Sequence, residues 1–138
     1  MNLVVTGSSS GIGRALAERL LARGHRVWGL ARSDQADFAS RHAGFTGIRA
    51  DVADWGQLQA AAAIVASKVS AIDGLVAGAG VQGEIGRALD ADPAAWSATV
   101  RANLDGTYFT LRAFAPLLRA ASRRAKIVCF SGGGATQA

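Results

Sequence analysis

Hydrophobic residues along the chain alternate between two spacings. Leu3 to Val5 is a short apolar run with the length and composition of a strand covered on both faces, and Val27 to Ala31, Phe45 to Ala50, Ile72 to Ala77 and Lys126 to Phe130 read as further strands. Between them the apolar positions recur at helical intervals. Leu16, Ala17, Leu20 and Leu21 mark a helix from Ile12 to Arg23, which Gly24 ends. Asp34 to His42 and the alanine-rich Asp54 to Val69 read as two more helices, and Ala94 to about Ala121 as a long helical stretch interrupted near Pro116. Strand-helix alternation implies parallel strands joined by right-handed crossovers. The expected fold is therefore an α/β doubly wound parallel sheet of five strands in the order 3-2-1-4-5, with helices on both faces.

Composition narrows the class. Half of the 138 residues are hydrophobic, enough for one ordinary core, so residues 1–138 are expected to form a single domain. There is no internal repeat, and no low-complexity segment beyond Gly132 to Gly134. A lone cysteine excludes an internal disulfide framework, and its setting in Ile127-Val128-Cys129-Phe130 predicts a buried strand position in a protein of a reducing compartment. No apolar stretch approaches the roughly 20 residues of a membrane span, and no signal pattern opens the chain, so a cytoplasmic location without a membrane partner is expected.

The net charge of +5 and pI near 10.7 raise the question of a polyanionic partner. The arginines, however, are dispersed along the sequence. Their densest group, Arg119, Arg123, Arg124 and Lys126, falls where the long helix should end, and cations there complement the negative helix terminus. The expectation is no nucleic-acid partner.

The first strand-to-helix junction carries the candidate chemistry. Thr6, Gly7, Ser8, Ser9, Ser10, Gly11, Ile12 and Gly13 lie where unpaired backbone N–H groups and the helix dipole favour an anion such as a diphosphate, and glycine lets backbone approach it closely. Glycines in such a place also serve tight turns. Position at the first junction favours binding.

The run Thr-Gly-x-x-x-Gly-Ile-Gly resembles the cofactor fingerprint of the short-chain dehydrogenase/reductase family, which has a Rossmann-like fold. The resemblance covers all 138 residues, matched to the amino-terminal half or so of a family member. It implies that Gly7, Ser8, Ser9, Ser10, Gly11, Ile12 and Gly13 cradle a dinucleotide. Asp51-Val52 stands where the family has an aspartate that contacts adenine, the alternative being a helix-capping or turn aspartate. At the end of strand two the usual acid is missing. Ala31 is followed by Arg32, which resembles the arginine of NADP-preferring members, so NADP(H) is expected as cofactor ahead of NAD(H); the alternative is a solvated surface arginine.

After strand four the family reads Asn-Asn-Ala-Gly, whereas this chain reads Ala77, Gly78, Ala79, Gly80. Backbone contacts to a cofactor survive that change and asparagine side-chain bonds do not. Trp96 and Asn103 match the family spacing in which the asparagine holds a water linked to the catalytic lysine, and asparagine is otherwise a poor interior helix residue. Strand five of the family ends in a substrate-binding serine. Ser131 is the serine here, although the customary place is that of Gly132.

The family's proton donor, the tyrosine of a Tyr-x-x-x-Lys segment, has no counterpart in these residues. Tyr108 is the one tyrosine, with Arg112 four residues later, and is expected to pack in the core. An unassisted phenol has a pKa of about 10 and needs a neighbouring cation to act near neutrality. The resemblance thus implies an oxidoreductase fold that moves hydride between nicotinamide and an alcohol or ketone, while this chain, read as truncated ahead of that segment, binds without turnover. The rival reading is a non-catalytic module that binds a dinucleotide or a second chain. Strand five should expose an apolar face and an open edge, so a homo-oligomer built through that side and the long helix is expected.

Overall fold

Each crossover returns the chain to the same end of one parallel sheet. In the computed structural model, which describes residues 1–130, the strands are β1 (Asn2–Thr6), β2 (Arg26–Ala31), β3 (Phe45–Arg49), β4 (Gly74–Ala77) and β5 (Lys126–Cys129). All are parallel, in the order β3-β2-β1-β4-β5, as the strand-helix alternation requires. The helices are α1 (Gly11–Ala22), α2 (Ala36–Arg41), α3 (Trp55–Ala66), α4 (Pro93–Val100) and α5 (Gly106–Arg119).

Alternation along each strand sends side chains to two separate cores. On one face Val4, Trp28, Leu30, Ile48 and Leu75 pack with Leu58, Ala61 and Val65 of α3 and with Phe114 and Leu117 of α5. On the other, Val5, Val27, Phe45 and Val76 meet Ala17 of α1 and Phe38 of α2. Burying a large apolar side chain contributes roughly 1.5–3 kcal/mol. Phe114 and Leu117 are therefore the anchors of α5, whose outer residues, Tyr108 among them, contribute little.

Local chemistry sets the boundaries. Asp54 caps α3, its Oδ1 accepting the Gln57 N–H at 3.0 Å, and Asp92 caps α4 in the same way through the Ala95 N–H at 3.0 Å, with Pro93 preset for the first turn. At the end of α1 the Gly24 N–H reaches the Leu21 carbonyl at 2.9 Å and the His25 N–H that of Leu20 at 3.1 Å, closing the helix.

Four expectations are corrected. The long stretch is not interrupted near Pro116: it widens into a π-helical turn at Arg101–Asp105 and continues to Arg119, with the proline in the last turn of α5, where a single lost backbone bond is tolerated. Helix α2 is shorter than the periodicity suggested, because Asp34 Oδ1 takes the Ala36 N–H in a turn that delays its start. Cys129 is exposed, as is the whole length of β5, which among the described residues pairs with β4 alone. Tyr108 is 60% exposed and does not pack in the core. Ser131 and the Gly132 to Gly134 run lie outside the described residues.

Candidate functional site

Strand β1 lies between β2 and β4, and successive crossovers leave it in opposite directions. A crevice opens above the carboxyl ends of these strands for that reason. It encloses about 420 Å³. Gly7, Ser9, Ser10, Gly11, Ile12 and Gly13 form its floor, Leu30, Ala31, Arg32 and Ser33 one wall, and Ala50, Asp51 and Val52 with Gly78, Ala79, Gly80, Val81 and Ala102 the rest.

The floor is built by close backbone approach. Gly7 has φ +74°, and a Cβ there would also lie 2.7 Å from the Gly78 carbonyl oxygen. Gly13, in the first turn of α1, faces the Gly7 carbonyl so directly that a Cβ would lie 2.3 Å from its oxygen. Thr6 locks the adjacent strand ends. Its Oγ1 accepts the N–H groups of Gly78 and Ala79, each at 3.1 Å.

This floor suits an anion. Asp54 and Asp92 each accept one first-turn amide of α3 and α4, whereas Ser10 at the start of α1 makes no side-chain capping bond. A Cβ on Gly11 would meet nothing within 4 Å, so the crevice reaches the backbone there. The first turn of α1 thus begins without a side-chain cap, and an uncapped helix start of this kind favours an anionic group. Arg32 is exposed at the crevice wall and makes no ion pair among the described residues, leaving a cation at the end of β2.

The remaining candidate residues divide in use. Asp51 lines the crevice and is also a turn residue: its Oδ1 accepts the Ala53 N–H at 2.9 Å, and its own N–H donates to Gln57 Oε1 at 2.9 Å. Val52 is buried, and its side chain packs on α5 where Gly106 leaves room. Ser8 departs from the expectation. It does not line the crevice; its hydroxyl is buried beneath the floor and donates to Gln35 Oε1 at 2.7 Å.

Asn103 sits in the π-helical turn and binds both backbone groups of Val81, its Oδ1 accepting the N–H and its Nδ2 donating to the carbonyl, each at 2.8 Å. It thereby fixes the segment after β4. The widened turn gives an asparagine amid good helix formers its place. A second hollow of about 300 Å³ adjoins it, lined by Ala77 to Val81, Asn103, Thr107 and Phe130.

Sequence reasoning did not single out Gln35 or the locking role of Thr6. A polar residue in an aperiodic turn carries no signal of burial. Gly29 and Gly47, interrupting otherwise apolar strands, were the available hint that something approaches the sheet closely there. Among the described residues no three His, Cys, Asp or Glu side chains are grouped to hold a metal ion, and no helix is long and apolar enough to cross a membrane.

Comparison with known proteins agrees with this geometry. The family model for short chain dehydrogenases matches residues 1–138. The short chain dehydrogenase tazN of Aspergillus terreus is 34% identical over 130 residues, covering 88% of this chain and 28% of its own. The 3-ketoacyl-ACP reductase of Sinorhizobium meliloti superposes with a TM-score of 0.89 at 33% identity, over 96% of this chain and 54% of the reductase. An NADPH-bound carbonyl reductase from chicken fatty liver gives a TM-score of 0.80 at 25% identity, over 88% and 49% of the two chains. The chain thus spans about half, or less, of the length of these relatives. Crevice, strand order and family match agree, and the chain belongs to the short chain dehydrogenase family.

Proposed function

We propose that this chain is the cofactor-binding portion of an NADP(H)-dependent oxidoreductase acting on an alcohol or ketone. The observation that carries the reading is the crevice at the β1 switch point, where the first turn of α1 meets open space at Gly11 and has no capping side chain. A bound nicotinamide supplies or accepts the hydride. The chain's own residues bind and orient: the loop from Gly7 to Gly13 holds the diphosphate, Asp51 and Val52 border the adenine, and Gly78, Ala79 and Gly80 offer backbone to the nicotinamide half. Asn103 holds that last segment in place through Val81. The names of two relatives, a 3-ketoacyl-ACP reductase and a carbonyl reductase, support a carbonyl substrate.

Arg32 favours NADP(H) over NAD(H), because a guanidinium can grip a 2′-phosphate through two parallel hydrogen bonds. Tyr108 is not the proton donor. It is exposed on α5 with Arg112, in place of a lysine, four residues later. The 138 residues are therefore expected to bind the dinucleotide without turning it over.

Replacement of Arg32 by alanine tests the cofactor. Losing charge-assisted hydrogen bonds of about 1.5–3 kcal/mol should weaken NADPH roughly tenfold to a hundredfold in calorimetric titration, with NADH changed less than about threefold. Equal losses for both would overturn the NADP(H) assignment.

A second reading, a module that associates with another chain, is favoured by one observation. Ile127, Val128 and Phe130 on and beside β5, together with Trp96, Leu104 and Tyr108 on the α4–α5 side, are all exposed. A homo-oligomer formed through that side should sediment above the monomer mass and shift to monomer in Val128→Lys; a monomeric wild type at micromolar concentration contradicts it.

A further inference from the structure

Gln35 is one of four buried polar residues among those described, 8% exposed, and it lies only three residues beyond Arg32. Both ends of its amide are used: Nε2 donates to the Gly29 carbonyl at 3.1 Å and Oε1 accepts the Ser8 hydroxyl at 2.7 Å. Ser8 is itself fully buried and belongs to the loop that floors the crevice. The side chain of one crevice loop is thus hydrogen-bonded to the next.

The sheet is shaped to accept this bridge. Gly29 and Gly47 are register partners on β2 and β3. A Cβ on Gly29 would lie 2.5 Å from Ser8 Oγ and 2.3 Å from the Phe45 ring, and one on Gly47 would lie 3.0 Å from Gln35 Cβ. Two glycines side by side therefore open a slot in the sheet surface, and Gln35, Ser8 and the Phe45 ring occupy it. Any larger residue at Gly29 would evict them.

The slot bears on Arg32. The segment carrying Arg32 and Ser33 is pinned at its start, where Ala31 O accepts the Ala50 N–H at 3.0 Å, and at its end by Gln35. Between those points Arg32, Ser33 and Asp34 are exposed. An exposed guanidinium on a short loop is carried by that loop's backbone, so holding Gln35 limits the backbone freedom that the Arg32 segment must lose on binding an anion.

We propose that Gln35 is a positioning residue for cofactor discrimination: it ties the loop that carries Arg32 to the loop that holds the diphosphate, so that the two anion contacts are presented in register. This rests on the NADP(H) reading above. Gln35 does not line the crevice and acts through Arg32 and Ser8.

The test uses the 138-residue chain, with NADPH and NADH dissociation constants measured by calorimetry and the fold monitored by circular dichroism. Gln35→Met keeps side-chain volume and removes both hydrogen bonds; it is expected to lower the preference for NADPH over NADH roughly fivefold to tenfold, mostly through NADPH. Ser8→Ala removes the same bond from the other side and should lower the preference in the same direction, and the double variant should be less than additive. A folded Gln35→Met with an unchanged preference overturns the positioning role, provided that Arg32→Ala abolishes the preference. Should Arg32→Ala itself leave the preference unaltered, the cofactor reading fails instead. If Gln35→Met does not fold, Ser8→Ala decides by the same ratio.

Discussion

Gly13→Ala probes the packing that creates the crevice floor. The new Cβ would lie 2.3 Å from the Gly7 oxygen and 2.7 Å from its carbonyl carbon, both backbone atoms, where ordinary contact begins at 3.4 Å. Relief requires α1 and the Gly7 turn to separate by about 1 Å, since neither atom can rotate away as a side chain would. Overpacking of this kind costs about 1–3 kcal/mol, and backbone contact places it in the upper part of that range. The gain of alanine over glycine within a helix, about 1 kcal/mol, opposes it. A net loss of about 1–2 kcal/mol follows, or roughly 4–8 °C in melting temperature for a chain of this size. The same displacement stretches hydrogen bonds from the α1 amides beyond their useful range, so NADPH affinity should fall at least about tenfold. Gly56→Ala is the matched control. It lies in the first turn of α3, where a Cβ would be 3.4 Å from Asp54 Oδ1, and should leave the melting temperature unchanged or raised. Differential scanning calorimetry and NADPH titration of both variants check the argument. A Gly13→Ala protein as stable as wild type, with unaltered NADPH affinity, would refute the contact between α1 and the Gly7 turn.

Two further outcomes are expected. Thr6→Val removes the acceptor shared by the Gly78 and Ala79 amides and should destabilise by about 1–3 kcal/mol in denaturant unfolding, while Thr6→Ser should recover most of the loss; an unaffected Thr6→Val would show that the two strand ends are not joined through Thr6. The Asp54 carboxyl is held below the usual carboxylate range, chiefly by the Gln57 backbone N–H and next by the Gln57 side chain. Because the folded form binds its proton less readily than the unfolded one, the stabilisation is complete above the unfolded pKa of about 3.9 and fades as pH falls through the lower folded value. The melting-temperature gap between wild type and Asp54→Ala should thus be constant from pH 7 to about pH 5 and close below it; a gap that widens in acid would contradict the cap.

Much of this was legible in the sequence because the determinants are local. Runs such as Leu3 to Val5 and Val27 to Ala31 are apolar on both faces, and only a sheet with helices on both sides buries both. Their alternation with helices then leaves few topologies. The fingerprint glycines were readable for the same reason, since Gly7 and Gly13 answer close backbone approach and Gly11 has a positive φ.

What escaped was tertiary. The apolar run around Cys129 looks like that of β4, yet β4 is buried along its length and every residue of β5 is exposed. Tyr108 belongs to a helix whose buried stripe runs through Gly106, Thr110, Phe114 and Leu117, leaving the tyrosine outside it. Ser8 shares the spacing of Ser9 and Ser10, but it turns inward because Gly29 leaves a slot in the neighbouring strand, a vacancy set by a residue 21 positions away. Proline is the strongest local helix breaker, yet Pro116 was accommodated, while the helix widens instead at the turn whose Asn103 bonds Val81.

The central claim is that a diphosphate rests on the first turn of α1. Backbone amide resonances of the isotope-labelled chain, followed through an NADPH titration, test it most directly. The account predicts saturable shifts greatest at Gly11, Ile12 and Gly13 and extending to Arg32. Saturable binding that moves other amides while leaving those three in place would contradict it.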